Sequence, residues 1–352
     1  MTIIYFILLL SVIICIHELG HLLAAKKFGV YCYEYSFGMG PVIWKKKTDE
    51  TQYSIRAIPI GGFVSMAGEP DGDEAYPDVV VPEGRRIVDK PTWQRIIILL
   101  AGVTMNFLLC FVILSLIILS NGAFAEPPRA VIQTVKADSP AERAGFKDGD
   151  VIKTITLREV TTKPETFQDV QVFLADCRDE EIIFEVERGN ETVTLSVVPE
   201  FDQEYNSYMI GIQAPEYNVV RVNLFNCWYY GAVEMGMIAR MMFEAIRQLI
   251  TGKNLNQLSG PVGIYSATEQ SVSYGLTSYL FLLAELSLNV GIFNLLPLPI
   301  LDGGQVVITL GEAAVGKKLN PKVKLAIMGA CWVLLIGLMV FVTWNDVSKL
   351  FQ

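Results

Sequence analysis

The 352-residue sequence predicts a polytopic α-helical membrane protein, with four transmembrane helices, a β-hairpin on the cytoplasmic side and an inserted extracytoplasmic α+β domain. Three observations carry this prediction. Hydrophobic residues make up 52% of the chain and charged residues only 18%, a balance unusual for a soluble protein. Several apolar runs are long enough to cross a hydrocarbon core of ~30 Å at ~1.5 Å per residue. The acidity is local: residues 121–217 hold 19 Asp and Glu against 9 Lys and Arg, which accounts for the whole net charge of −9 and marks a separate, solvated domain. The net charge of −9 also argues against a nucleic-acid partner, which is usually met by a basic patch that neutralises phosphates.

Residues 2–25 form the first expected span, ending in Lys26 and Lys27. They lack the basic start and small-residue cleavage site of a signal peptide, so the helix is expected to be retained. "TQYSIRAIPIGGFVSMAGE", residues 51–69, alternates apolar and polar residues and breaks at Gly61 and Gly62, which predicts a short β-hairpin. The Pro-rich, acidic segment after it reads as an irregular loop. Arg95 introduces the second span, residues 96–120, which closes a first membrane half over 1–121.

Residues 122–217 form the inserted domain, with strand-like runs around "SPAERAGFKDGDVI" at 139–152. There Ser139 and Pro140 suit the start of a short helix, and Gly145 suits its end. Residues 218–275 are mainly helical, and 223–250 suit an amphipathic helix at the membrane surface. The second membrane half, 276–352, holds a third span at 279–301, interrupted by Asn289, Asn294, Pro297 and Pro299, and a fourth at 325–344 ending in Trp344.

Orientation follows from the basic loops. Lys26, Lys27, Lys45, Lys46, Lys47, Arg85, Arg86, Lys90 and Arg95 lie between the first two spans, and Lys317, Lys318, Lys322 and Lys324 between the last two. Both loops are therefore expected in the cytoplasm, with the acidic domain and both termini outside. The six cysteines have no CxxC pair or regular spacing, so no zinc knuckle or disulfide framework is indicated; whether Cys177 and Cys227 are ever oxidised stays open.

The chemistry lies in "HELGH", residues 17–21, which holds both histidines of the chain. Residues four apart share a helix face, so His17 and His21 can offer two imidazoles to one ion, with Glu18 beside them as a general base. Ionisable groups cost ~2.5–3.5 kcal/mol or more inside a bilayer, and a metal supplies the partner that offsets this. A catalytic zinc takes three protein ligands and keeps one open position. Without a third histidine the third ligand must be a carboxylate: Asp302 in "NVGIFNLLPLPILDGG" is the better candidate and Glu285 the weaker, while a helix cap is the other reading of Asp302. Pro297 and Pro299 break regular helix before it.

These motifs resemble the site-2 protease family of intramembrane zinc metalloproteases, in its RseP/RasP (regulator of sigma-E protease) branch. HELGH and "NLLPLPILDGG" carry the resemblance together with "YEYSFGMGP" (33–41), "YSIRAIPIGGFVSMAGE" (53–69), "TWQRIIILLAGVTMNF" (92–107), "SPAERAGFKDGDVI" and "LSGPVGI" (258–264), in the family's order and spacing. The resemblance implies one zinc ion on His17, His21 and Asp302, with Glu18 as general base. It implies that Asn294 and Asn289 hold substrate backbone, although helix-to-helix hydrogen bonding is the other reading of both. The strand at Gly61, Gly62 and Phe63 is similar to a membrane-associated β-loop that pairs with substrate.

It also implies a PDZ domain over residues 122–217, able to bind peptide C-termini beside "YMIGIQ" (208–213) and to exclude bulky substrates. The expected substrates are single-pass membrane proteins such as anti-sigma factors or remnant signal peptides, and the expected location is a bacterial inner membrane, in contact with lipid. One departure is Val103, where the family usually has Pro. Two rival classes are an inert membrane PDZ adaptor and a metal-ion transporter. Intact HELGH and Asp302 argue against the first, and the lack of several ionisable groups per helix argues against the second.

Overall fold

The structure, a computed structural model, describes residues 1–158, 160–175, 177, 179–202, 207–250 and 260–349. Leu258 and Ser259 of the LSGPVGI motif lie outside the described residues. Two compact units emerge, Met1–Ser120 with Asn223–Gln352, and Asn121–Val222.

The first unit is built on helices. α1 (Thr2–Lys27) ends in Lys26 and Lys27, whose charges suit the negative end of a helix dipole, and Gly29 at φ +70° turns the chain away. α3 (Thr92–Asn121) follows a short helix α2 (Pro70–Ala75) and lies flush on α1. At their crossing a Cβ on Gly20 would stand 2.3 Å from the Ala101 carbonyl oxygen, so only glycine permits this approach. After the second unit come α6 (Cys227–Ile250), α7 (Pro261–Tyr274), α8 (Leu276–Asn294), α9 (Asp302–Val315) and α10 (Pro321–Lys349). Four of these helices are long and apolar enough to cross a membrane, with spans at Thr2–Lys27, Thr92–Asn121, Leu276–Asn294 and Lys322–Asp346. Their outward Ile, Leu, Val and Trp side chains, among them Ile4, Leu108, Leu116, Trp332 and Val333, are exposed as lipid-facing positions must be.

Two expectations are corrected here. The third span ends at Asn294, short of Leu301, because Pro297 and Pro299 cannot continue the hydrogen-bond ladder; helix resumes at Asp302. The hairpin is not contained in residues 51–69. Its arms are β1 (Cys32–Lys47) and β2 (Gln52–Met66), and Gly61, at φ +80°, lies within β2 instead of forming the turn. β1 pairs twice with β2: Tyr35 lies against both Val64 and Tyr53, and Trp44 lies against Ile55. Residues 62–66 thus form one edge of the sheet and 42–47 the other. Alternation identifies a strand but carries no information about its partner.

Buried Leu22, Ala25, Val30, Cys32, Met66, Ile87 and Ile98 join α1, the sheet and α3 in one core. Glu34 is fully buried beneath the sheet, where Arg56 Nη2 donates to both its carboxylate oxygens at 2.8 and 2.9 Å and the Ser54 and Tyr76 hydroxyls add further bonds. α6 packs Ile238 against Cys110 and Leu114 of α3 and Leu288 of α8.

In the second unit a four-stranded antiparallel sheet runs in the order β6 (Val160–Thr162), β5 (Val151–Leu157), β7 (Ile182–Arg188), β8 (Glu191–Val197). Its core includes Ile132, Ile152, Ile155, Val170, Phe184 and Ile210. The short helix α4 (Pro140–Ala144) starts on Ser139, whose Oγ accepts the Glu142 N–H, and ends on left-handed Gly145, as expected for this segment. Ser207–Met209 pairs with Glu200–Asp202, and Ile212–Gln213 pairs with Thr134–Val135. Cys177 and Cys227 are both buried, and no disulfide occurs among the described residues.

Candidate metal centre

α1 carries His17, Glu18 and His21 on one side, four residues bringing the two imidazoles into register. α9 delivers the third group from its first residue. The chain after Asn294 folds back through "LLPLPIL", with the Leu301 N–H bonded to the Leu298 carbonyl at 2.8 Å, and sets Asp302 opposite the imidazoles. Close approach of backbone makes this possible: Cβ atoms on Gly303 and Gly304 would stand 2.2 and 2.0 Å from the Leu295 and Leu298 carbonyl oxygens.

Three ligand atoms converge. His17 Nε2 and His21 Nε2 are 3.1 Å apart, and Asp302 Oδ2 lies 3.1 Å from the first and 3.5 Å from the second. Zinc–ligand bonds of ~2.0–2.2 Å in a tetrahedron separate ligand atoms by roughly 3.3–3.5 Å, so this triangle fits one such ion. Asp302 Oδ2 is buried and has no hydrogen-bond partner among the described residues, which is a costly state for a carboxylate oxygen unless a cation meets it. His17, His21 and Asp302 are the one group of three or more such side chains found together among the described residues.

α3 supplies the surroundings. The Ile98 carbonyl accepts a hydrogen bond from His21 Nδ1 at 2.8 Å, which leaves the Nε2 lone pair for a metal. Side chains lean toward the start of a helix, so residue 102 overhangs this carbonyl. A Cβ on Gly102 would stand 2.5 Å from His21 Nε2 and 2.8 Å from His17 Nε2. One turn on, buried Asn106 places its amide nitrogen Nδ2 3.3 Å from His17 Nδ1. Sequence reasoning missed Ile98, Gly102 and Asn106, although their four-residue spacing on a span with few polar residues was a usable signal.

Glu18 Oε2 accepts the Val64 N–H at 3.1 Å. This bond belongs to a series between α1 and β2, with Ser11 Oγ donating to the Pro59 carbonyl at 2.5 Å and Cys15 Sγ to the Gly61 carbonyl at 3.6 Å. The Gly61–Phe63 segment therefore runs along the part of α1 that carries His17 and Glu18, and Val64 is a residue of this edge that sequence reasoning did not name. Asn289 and Asn294 are half-buried on α8, and neither side chain makes a hydrogen bond to the cluster among the described residues. Glu285, also half-buried on α8, is not among the converging ligands.

Comparison with known sequences points the same way. The model of peptidase family M50 matches residues 5–338. The chain is 31% identical to the regulator of sigma-W protease RasP of Bacillus subtilis over 99% of each chain, and 31% identical to the zinc metalloprotease RasP of Shouchella clausii over 100% of each. Among solved structures, the PDZ domain of the SdrC-like protein Lin2157 from Listeria innocua covers 26% of this chain and 97% of its own, at 20% identity and a TM-score of 0.22.

Proposed function

This chain belongs to peptidase family M50 and is a zinc-dependent intramembrane endopeptidase of the site-2 type, and from that premise we propose that His17, His21 and Asp302 hold the one zinc ion while Glu18 acts as general base. The observation that carries this reading is the triangle of two imidazole nitrogens and one otherwise unpartnered carboxylate oxygen, with Glu18 on the same helix. Bound zinc supplies a Lewis acid and makes water nucleophilic at a pH near 7.

The chain's own residues do the rest. A transmembrane substrate hides its peptide bonds in helix, so it must unwind, and each freed N–H and C=O then needs a partner. The edge at Gly61, Gly62 and Phe63, which no further strand covers among the described residues, offers such partners by strand addition once its side-chain bonds to α1 are exchanged for the substrate. Glu18 takes the proton of the attacking water and returns it to the leaving amine nitrogen. Asn294, with Asn289 behind it on α8, holds the substrate's carbonyls and amides once the strand has formed.

The substrates are single-pass membrane proteins, of the anti-sigma factor or remnant signal-peptide kind, cut in or near their transmembrane segments. The name of the Bacillus subtilis relative supports a regulatory role. In a bacterial inner membrane, the Lys and Arg excess of the loops supports a cytoplasmic hairpin and an external second unit with both termini. Within that unit we assign residues 122–217 as a PDZ domain. Its capped short helix and a cavity of about 320 Å³ lined by Lys136, Ser139, Phe201, Met209 and Gly211 support a role in binding peptide ends and filtering bulky substrates.

The test is cleavage of a labelled transmembrane peptide by purified protein, with and without a zinc chelator, beside Glu18→Gln. Zinc-dependent cleavage is expected in the wild type, with loss of cleavage but retention of zinc in the variant. Wild type that holds stoichiometric zinc and cleaves no better than Glu18→Gln, over a panel of peptides, would overturn the protease reading.

A further inference from the structure

Ile98, Gly102 and Asn106 face the two imidazoles at four-residue intervals along α3. For His21 the partner is a backbone carbonyl, which can only accept, so the proton sits on Nδ1 and the Nε2 lone pair is free. For His17 the partner is the Asn106 amide, whose Nδ2 stands 3.3 Å from Nδ1; a half-turn of the amide, which exchanges two atoms of nearly equal size, puts the acceptor Oδ1 in the same place.

The two settings have opposite consequences. With the Asn106 NH2 toward His17 Nδ1, that nitrogen accepts, the ring proton moves to Nε2, and it points into the space between His21 Nε2 and Asp302 Oδ2, each 3.1 Å away. A protonated Nε2 cannot ligate a metal. With Oδ1 toward Nδ1, the imidazole donates to the amide and presents its lone pair to the same space. With Nδ2 toward His17, Oδ1 is buried without a hydrogen-bond partner among the described residues, and the turned setting gives it one at His17 Nδ1.

The side chain has little freedom to act otherwise. Asn106 is fully buried, and its backbone carbonyl accepts the Ser287 hydroxyl of α8 at 3.0 Å, which ties this turn of α3 to α8. It touches one ligand and comes from a different helix than any ligand, as outer groups that orient metal-bound histidines do.

We propose that Asn106 is a positioning residue whose Oδ1 accepts the His17 Nδ1–H and so fixes the tautomer in which His17 can bind zinc. This rests on the assignment of His17 as a ligand made above. It assigns no contact with substrate to Asn106.

The chain contains only two histidines, which makes the tautomer directly measurable. Full-length protein labelled with 15N-histidine, in detergent and free of metal, is expected to show His17 protonated at Nδ1. Zinc affinity, measured by chelator competition, is expected to fall by about 10–100-fold in Asn106→Leu, which has the shape but neither polar atom. In Asn106→Asp, which keeps an acceptor and has no donor, it is expected to stay within about threefold of wild type or to tighten.

A proton on His17 Nε2, wild-type zinc affinity in the Leu variant, or an Asp variant as weak as the Leu variant would each overturn the assignment. Should Asn106→Leu fail to fold, the nitrogen spectrum and the Asp variant still decide. Absence of zinc binding by wild type would overturn the metal centre itself, whereas tight zinc binding with the wrong tautomer would overturn this inference alone.

Discussion

The carboxylate of Glu18 accepts a hydrogen bond from the backbone N–H of Val64 at 3.1 Å, across 46 residues of chain. The group next to the His17–His21–Asp302 cluster and the edge of the sheet are thus one mechanical unit, because α1 holds both. Val64 lies opposite Tyr35 in the sheet, yet its N–H points away from that partner and toward α1.

Val64→Pro removes this N–H without removing a ladder bond, since edge positions tolerate proline where the N–H points outward. Cleavage is expected to fall by about tenfold, the scale of one hydrogen bond to a charged group at ~1.5 kcal/mol, while zinc content stays unchanged. Steady-state kinetics with metal analysis of the same samples measures both. Equal loss of zinc and activity would mean that the strand supports the metal site rather than Glu18.

Gly102→Ala tests the fit of α3 against the imidazoles. The new Cβ would stand 2.5 Å from His21 Nε2, inside any tolerable contact, so either the ring or the helix must shift. Zinc affinity is expected to drop by at least about tenfold, with helical content by circular dichroism unchanged. Retention of full affinity would mean that α1 and α3 can separate at this point.

Beneath the sheet, burial alone would raise the Glu34 carboxyl, but the Ser54 and Tyr76 hydroxyls and the Arg56 guanidinium hold it below the usual carboxylate range. Arg56→Met leaves a buried charge unpaired, which costs about 3–5 kcal/mol. The double variant Glu34→Gln with Arg56→Met is expected to recover most of that. Denaturation midpoints of the full-length protein, wild type and the two variants side by side, report the difference.

The second unit carries a pH dependence of its own. Burial would raise Asp150, but Arg188 donates to both its oxygens at 2.8 and 2.7 Å and the Lys147 N–H adds a third bond, so its pKa is lowered. A lowered folded-state pKa means stability that is complete above the unfolded value of ~3.9 and is lost as the pH falls through the folded one. Amide exchange in Val151–Leu157 and Ile182–Arg188 is therefore expected to be slow at neutral pH and to lose protection below about pH 4. Asp150→Asn is expected to be less protected at pH 7 and to differ little from wild type at the acidic end.

Much of this molecule was legible in its sequence, for reasons that are local. Hydrophobic run length marked the four spans, and the helical spacing of His17 and His21 was enough to put two imidazoles on one face. Ser139 and Gly145 marked the ends of α4, because a cap is made by residues within one turn of each other. The hairpin was legible only in part: residues 52–66 alternate as a strand should, but their partner at Cys32–Lys47 is set by long-range pairing. α9 was missed because its start depends on a backbone reversal that two glycines make possible.

The sequence by itself determined the kind of chemistry, since two histidines and a glutamate in an apolar helix are too costly there without a cation to collect them. It narrowed the third ligand to Asp302 or Glu285. The tertiary structure decided the rest. Asp302 meets the imidazoles because Gly303 and Gly304 let the chain fold flat before α9, His21 keeps its lone pair because a carbonyl of α3 takes its proton, and Glu18 faces Val64 because β2 lies along α1. Each of these is a contact between segments far apart in the chain, and such contacts come from the packing of helices against one another, not from the spacing of residues along any one of them.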